Sequence, residues 1–206
     1  MKQTIILGSD SSFVLDTNFQ INGQDKSQVK WAYITTAGND VPDDSYLVRT
    51  KAALDNKTWD YHEYDISGKS DNEISEFLKD KDAIFMQGGN TYYLLKQIRQ
   101  SNFKEALKKF LADGKVYVGT SAGSYIMCPD TDMMNWKDSS RFNKNGITDL
   151  TAFGFVPFQV FCHLNRHQEQ EKEIKKYASL SPYKVYFLND GEGLLVEDSQ
   201  VIKLIK

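Results

Sequence analysis

Gly119-Thr120-Ser121-Ala122-Gly123 fits the G-x-S-x-G pattern of a nucleophile elbow. In such an elbow a serine sits on a sharp turn between a strand and a helix. Its hydroxyl then stands exposed at the end of a sheet. The flanks have the required character: residues 115–118 read as a short buried strand, and residues 122–127 can open a helix. Glycines two before and two after the serine leave the room that a tight strand–helix approach needs. The same string also serves as an ordinary Gly/Ser turn, so its partners must decide.

A serine hydroxyl is a weak nucleophile until a base takes its proton. The chain has three histidines, His62, His163 and His167. His163 directly follows the strand-like run 159–162, and sites in parallel sheets form at the carboxyl ends of strands. Ser121 and His163 can therefore converge there. His62 lies within a strand pattern and reads as structural or surface. His163 and His167 have the H-x3-H spacing of a metal pair on a helix, but matching Cys or carboxylate ligands are missing, so no metal is assigned. Acyl transfer also needs donors for a developing oxyanion. Gly88-Gly89 ends a buried strand and enters a helix starting near Asn90, where backbone N–H groups point outward. The amide of Ala122 is the second donor in the usual elbow geometry. A phosphate-binding turn is the other reading of Gly88-Gly89, but the string is not G-x-G-x-x-G and no Walker lysine follows.

The elements that must position these groups alternate. Strands are expected at residues 4–7, 31–35, 59–64, 83–86 and 116–118, with helices near 43–56, 70–78, 91–98 and 103–112. Residues 83–86 form a continuous apolar run, as in a strand buried on both faces. Residues 13–15 are read as a short hairpin arm. Residues 129–149 are polar and irregular and read as a loop over the site. Residues 159–162 form another strand, a polar helix covers roughly 168–178, and three closing strands fall at 185–188, 193–196 and 201–205. The expected fold is α/β and three-layered: a mostly parallel sheet with helices on both faces and an antiparallel C-terminal edge.

Composition bounds the function. The 206 residues suit one domain, 1–206, with its own core. Net charge is −3 and no long basic run occurs, which argues against nucleic acid as a partner. No apolar run approaches the roughly 18 residues of a membrane span, and the apolar stretch at the N-terminus is too short for a signal-peptide core. Cys128 and Cys162 make neither a disulfide scaffold nor a zinc pattern, so a reducing cytoplasm is the expected setting and both read as small buried hydrophobes. No cofactor is called for, and a homodimer is left open.

Taken in order, Gln87-Gly88-Gly89-Asn90-Thr91 before a Leu-rich helix, then Gly119-Thr120-Ser121-Ala122-Gly123-Ser124 with Cys128-Pro129 beyond it, then a strand ending in His163, resemble the dipeptidase E and cyanophycinase group of serine peptidases. The likeness spans nearly the whole chain. It implies a fold like that of class I glutamine amidotransferases, a Ser-His-acid triad with Ser121 as nucleophile and His163 as general base, and an oxyanion hole from the amides of Gly89 and Ala122. It also implies that the acid lies in the loop after the elbow helix. Asp132 is the leading candidate because Met133 follows it, with Asp138, Asp130 and Asp149 as alternatives. Gly88, Asn90 and Thr91, with Arg166 and Gln170, are the expected substrate-binding residues. The resembling group holds an N-terminal aspartate with an arginine on the helix after the histidine. Aligned on Ile174, that position holds Gln170, which cannot make a guanidinium's bidentate contact. The implied activity is therefore hydrolysis of small peptides without an assured preference for aspartate. An esterase or amidase with the same triad, and a non-catalytic binding module of the same fold, are the competing readings.

Overall fold

The computed structural model describes residues 2–136, 142–144 and 146–206. Its strands are β1 (Thr4–Gly8), β2 (Trp31–Ile34), β3 (Tyr61–Tyr64), β4 (Ala83–Met86), β5 (Val116–Thr120), β6 (Gln159–Phe161), β7 (Val185–Phe187), β8 (Gly193–Glu197) and β9 (Gln200–Ile205). The helices are α1 (Ser11–Asp16), α2 (Ser45–Asn56), α3 (Asp71–Leu78), α4 (Thr91–Gln100), α5 (Phe103–Ala112), α6 (Ala122–Tyr125) and α7 (Glu171–Leu180). Seven strands form one sheet in the order β3-β2-β4-β5-β1-β8-β9. The first five strands in sequence pair in parallel, and β8 and β9 add the antiparallel edge.

Alternation along the central strands splits the core in two, because successive side chains of a strand point to opposite faces. Ile5, Leu7, Ile84, Met86 and Tyr117 pack with the apolar residues of α3, α4 and α5. Ile6, Phe85, Val116 and Val118 pack on the other face with Phe13 and Val14 of α1, Leu54 of α2 and Trp31. Both faces are therefore covered, which is why these strands read as unbroken apolar runs. Helix starts are locally encoded. Ser70 and Glu73 form a capping box at α3, and the Asn90 side chain accepts from the amides of Tyr92 and Tyr93 at α4.

Three expectations are corrected. Residues 13–15 are not a hairpin arm but part of α1, capped by Asp10, whose carboxylate accepts from the Phe13 amide. The strands at 159–162 and 185–188 do not join the main sheet: β6 and β7 pair with each other in parallel as a separate two-stranded sheet. The stretch at 129–149 is not uniformly polar loop. A 3-10 turn over Asp132–Trp136 buries Met133, Met134 and Trp136, and Trp136 stacks on Phe161 at 6.1 Å. Among the described residues no helix is long and apolar enough to cross a membrane.

Candidate active site

Ser121 sits between β5 and α6 at φ 50° and ψ −112°. A non-glycine residue at positive φ is strained and persists only where its surroundings fix it. Here the Ser121 amide donates to the Gly8 carbonyl at 3.2 Å, and its own carbonyl accepts from Ser124 and Tyr125, each at 2.9 Å. The Ser124 hydroxyl ties the carbonyls of Gly8 and Gly119 together from beneath, at 2.7 and 2.9 Å. Two of the surrounding glycines are required by close approach. A Cβ on Gly119 would lie 2.5 Å from the Gly123 carbonyl oxygen, and one on Gly88 would lie 2.8 Å from the Ser121 Cβ.

Gly89 has φ 152°, and a Cβ there would overlap the Ala37 carbonyl. The amides on either side are committed: Gly88 donates to the Thr120 hydroxyl at 3.2 Å and Asn90 to the Ala37 carbonyl at 2.8 Å. The Gly89 and Ala122 N–H groups take no protein acceptor among the described residues. Gly88, Gly89, Ser121 and His163 all line one cavity of about 580 Å³.

His163 follows β6 in a left-handed conformation, φ 62° and ψ 31°, with its amide donating to the Ser9 hydroxyl at 2.8 Å. Its Nδ1 lies 2.6 Å from Asp190 Oδ1. Asp190 stands in the turn between β7 and β8. Its other oxygen accepts from Arg166 Nε at 2.5 Å and Asn165 Nδ2 at 3.3 Å, and its amide donates to the Asn165 side chain at 2.9 Å. The neighbouring Gly191 amide donates to Asp10 Oδ1 at 2.9 Å, so the α1 cap also anchors this turn. Burial works to raise the Asp190 carboxyl, but the hydrogen bond to His163 and then the Arg166 guanidinium outweigh it and hold the carboxyl well below the usual range. An ionised carboxylate accepts the proton carried by Nδ1, which leaves Nε2 as the nitrogen that bears the lone pair.

The carboxylate beside His163 is thus Asp190 and not Asp132, whose side chain accepts from Asn135 Nδ2 at 2.7 Å. Asp130 accepts from Gln159 at 2.5 Å, and Asp149 faces Arg99 at 3.3 Å. Asp138 lies outside the described residues. The physical reason is that the 3-10 turn pins residues 132–136 by their apolar side chains, while the β7–β8 turn projects from the strand paired with β6. Asn189-Asp190-Gly191 carried a usable signal: like His163, Asp190 follows shortly after a strand end. Among the expected substrate-binding residues, Gly88 and Arg166 line the cavity. Asn90 and Thr91 border an adjoining cavity that also holds Ser121, with the Asn90 side chain spent on capping α4 and on Asp40 and the Phe142 carbonyl. Gln170 does not reach the site and borders a separate depression beyond Arg166. His62 is exposed beside Asp60, and the His167 ring packs edge-on against Phe161.

A serine on a strand–helix elbow of a mostly parallel sheet, lining the same cavity as a carboxylate-bound histidine, is an arrangement suited to acyl-transfer hydrolysis. The chain belongs to peptidase family S51, whose model matches residues 6–204, and it is a peptidase. It is 29% identical over 206 residues to the uncharacterized peptidase Lmo0363 of Listeria monocytogenes, covering 98% of each chain. It is 32% identical over 143 residues to peptidase E of Shewanella baltica, an alignment that covers 68% of this chain and 55% of that protein. The fold matches the crystal structure of a Listeria monocytogenes EGD-e protein provisionally designated peptidase E, with a TM-score of 0.82 at 24% identity over 100% of this chain and 98% of that one.

Proposed function

We propose that the protein is a serine peptidase of small peptides that works through Ser121, His163 and Asp190. The observation that carries this reading is the pairing of His163 Nδ1 with Asp190 at 2.6 Å in a histidine that lines the same cavity as the strained Ser121. In the first step the Ser121 oxygen attacks the scissile carbonyl carbon and its proton passes to His163 Nε2. The amides of Gly89 and Ala122 receive the charge that develops on the carbonyl oxygen. The C–N bond then breaks as His163 returns the proton to the leaving nitrogen, and water attacks the acyl-serine by the same route in reverse. Asp190 holds the imidazole in the productive tautomer and stabilises its cation. Arg166 and Asn165 hold Asp190.

A cavity of about 580 Å³ is of the size that holds a small ligand, which favours short peptides over folded protein substrates. Cys128 and Cys162 are buried thiols not joined in a disulfide, which accords with a reducing, cytoplasmic setting. The test is a dipeptide panel assayed with wild type and Ser121→Ala. Hydrolysis by wild type and its loss in the variant support the reading, and equal hydrolysis by both rules it out.

A further inference from the structure

Ser121 stands between two cavities of unlike lining. One holds His163 together with Asp10, Asp16, Arg49 and Arg166. The other, of about 560 Å³, shares Ser121, Gly89 and Asp43 with the first but does not include His163. Its walls carry Val41, Pro42, Tyr125, Met134 and Phe142.

The reaction orders the two. A base that takes the serine proton must hand it to the leaving nitrogen, so the leaving residue lies on the side of the histidine. The acyl part stays bonded to the serine, with its oxygen at the oxyanion amides. Its side chain therefore needs space that touches Ser121 and Gly89 away from the imidazole. The second cavity meets that requirement.

Its chemistry selects the side chain. The one cation on its wall, among the described residues, is Lys144, and that ammonium is paired with Asp40 at 3.2 Å. The Asn90 amide on the same wall is already donated to Asp40 and to the Phe142 carbonyl. A carboxylate entering here would give up water and meet no guanidinium, whereas an apolar side chain gains by burial. Asp43, like Ser121, borders both cavities, and its carboxylate is a partner for the α-ammonium of an N-terminal residue. Its carboxyl is held below the usual range by the amide and hydroxyl of Ser45, so it stays charged for that contact.

We propose that the residue on the acyl side of the scissile bond carries an apolar side chain, seated among Val41, Pro42, Met134 and Phe142. This rests on the serine peptidase reading above.

The experiment compares kcat/KM for Leu-Ala, Phe-Ala, Ala-Ala, Asp-Ala and Lys-Ala in wild type, Phe142→Ser and Val41→Arg. Calorimetric binding of Leu-Ala and Asp-Ala to Ser121→Ala reads the cavity without the chemistry. The expected result is a preference of about ten-fold or more for Leu-Ala and Phe-Ala over Asp-Ala and Lys-Ala, as burial of one such side chain implies. Phe142→Ser should shrink the Leu-Ala to Ala-Ala ratio, and Val41→Arg should raise Asp-Ala relative to Leu-Ala. Binding to Ser121→Ala should follow the wild-type order. Ser121-dependent hydrolysis that favours Asp-Ala or Lys-Ala, or a preference that neither variant moves, overturns the inference and leaves the peptidase reading standing. If no peptide is hydrolysed and none binds, both fall together.

Discussion

His163 and Asp190 meet at 2.6 Å although neither stands on the main sheet. Each follows a strand of the small β6–β7 ribbon, and the Leu164 amide ties the two loops by donating to the Leu188 carbonyl at 3.0 Å. The ribbon thus carries the imidazole and its carboxylate as a unit. A change in the ribbon should affect both together and leave the elbow in place.

Asp190→Asn keeps the shape of the side chain and removes its charge. We expect kcat to fall by about 10³- to 10⁴-fold, the scale seen when a triad acid is neutralised elsewhere. Asp132→Asn should stay within about two-fold of wild type, because its partner is Asn135 and not the histidine. Steady-state rates on one dipeptide substrate decide between the two carboxylates.

The same pair sets an acid limit on stability. The folded Asp190 carboxyl lies below its unfolded value, so the unfolded chain takes up the proton first as pH falls. The contribution is complete above about pH 5 and drains away below about pH 4, the ordinary aspartate range. Urea midpoints of wild type and Asp190→Asn should differ by a constant amount at neutral pH and converge on acidification.

Gly89→Ala tests the proposed oxyanion donor. Its Cβ would overlap the Ala37 carbonyl, and φ 152° is a conformation that alanine resists. Displacement of that amide should lower kcat by about 10²- to 10³-fold, as loss of one such donor does. Circular dichroism should show the fold retained, and KM should change far less than kcat.

Lys26 predicts an alkaline effect away from the site. Its ammonium is buried, donating to the Val14 and Thr17 carbonyls at 2.5 and 2.6 Å and lying 4.6 Å from the Phe19 ring centre. Burial, then repulsion from Lys57, pushes its pKa down to about 8. A lysine depressed in the folded state costs stability as pH falls from about 10.5, where the unfolded chain protonates, to about 8, and the cost is constant below that. Lys26→Met should remove this part of the pH dependence, read as the difference in thermal midpoint between variant and wild type across that window.

Much of the fold was legible because its signals are local. The apolar run at 83–86 required a strand covered on both faces, and Gly119 to Gly123 required a tight strand–helix turn. The places of Ser121 and His163 shortly after strands were legible in the same way. The partnership of Asp190 with His163 was not legible, because the pairing of β6 with β7 that brings their loops together leaves no mark in either strand's pattern. The α1 helix is illegible in the sequence for a related reason. At six residues it is too short to show a period, and its stability comes from the Asp10 cap and from Phe13 and Val14 packed under the sheet. Gln170 was expected at the site from alignment along one helix, but the 3-10 turns between His163 and α7 carry it past Arg166.

The most direct measurement is covalent labelling with a fluorophosphonate, located by peptide mass spectrometry. One modified residue is expected, Ser121, with the rate of labelling reduced by at least about 100-fold in both His163→Ala and Asp190→Asn, since an unassisted serine is a poor nucleophile. Labelling of another residue, or labelling of Ser121 at the wild-type rate in both variants, would contradict it.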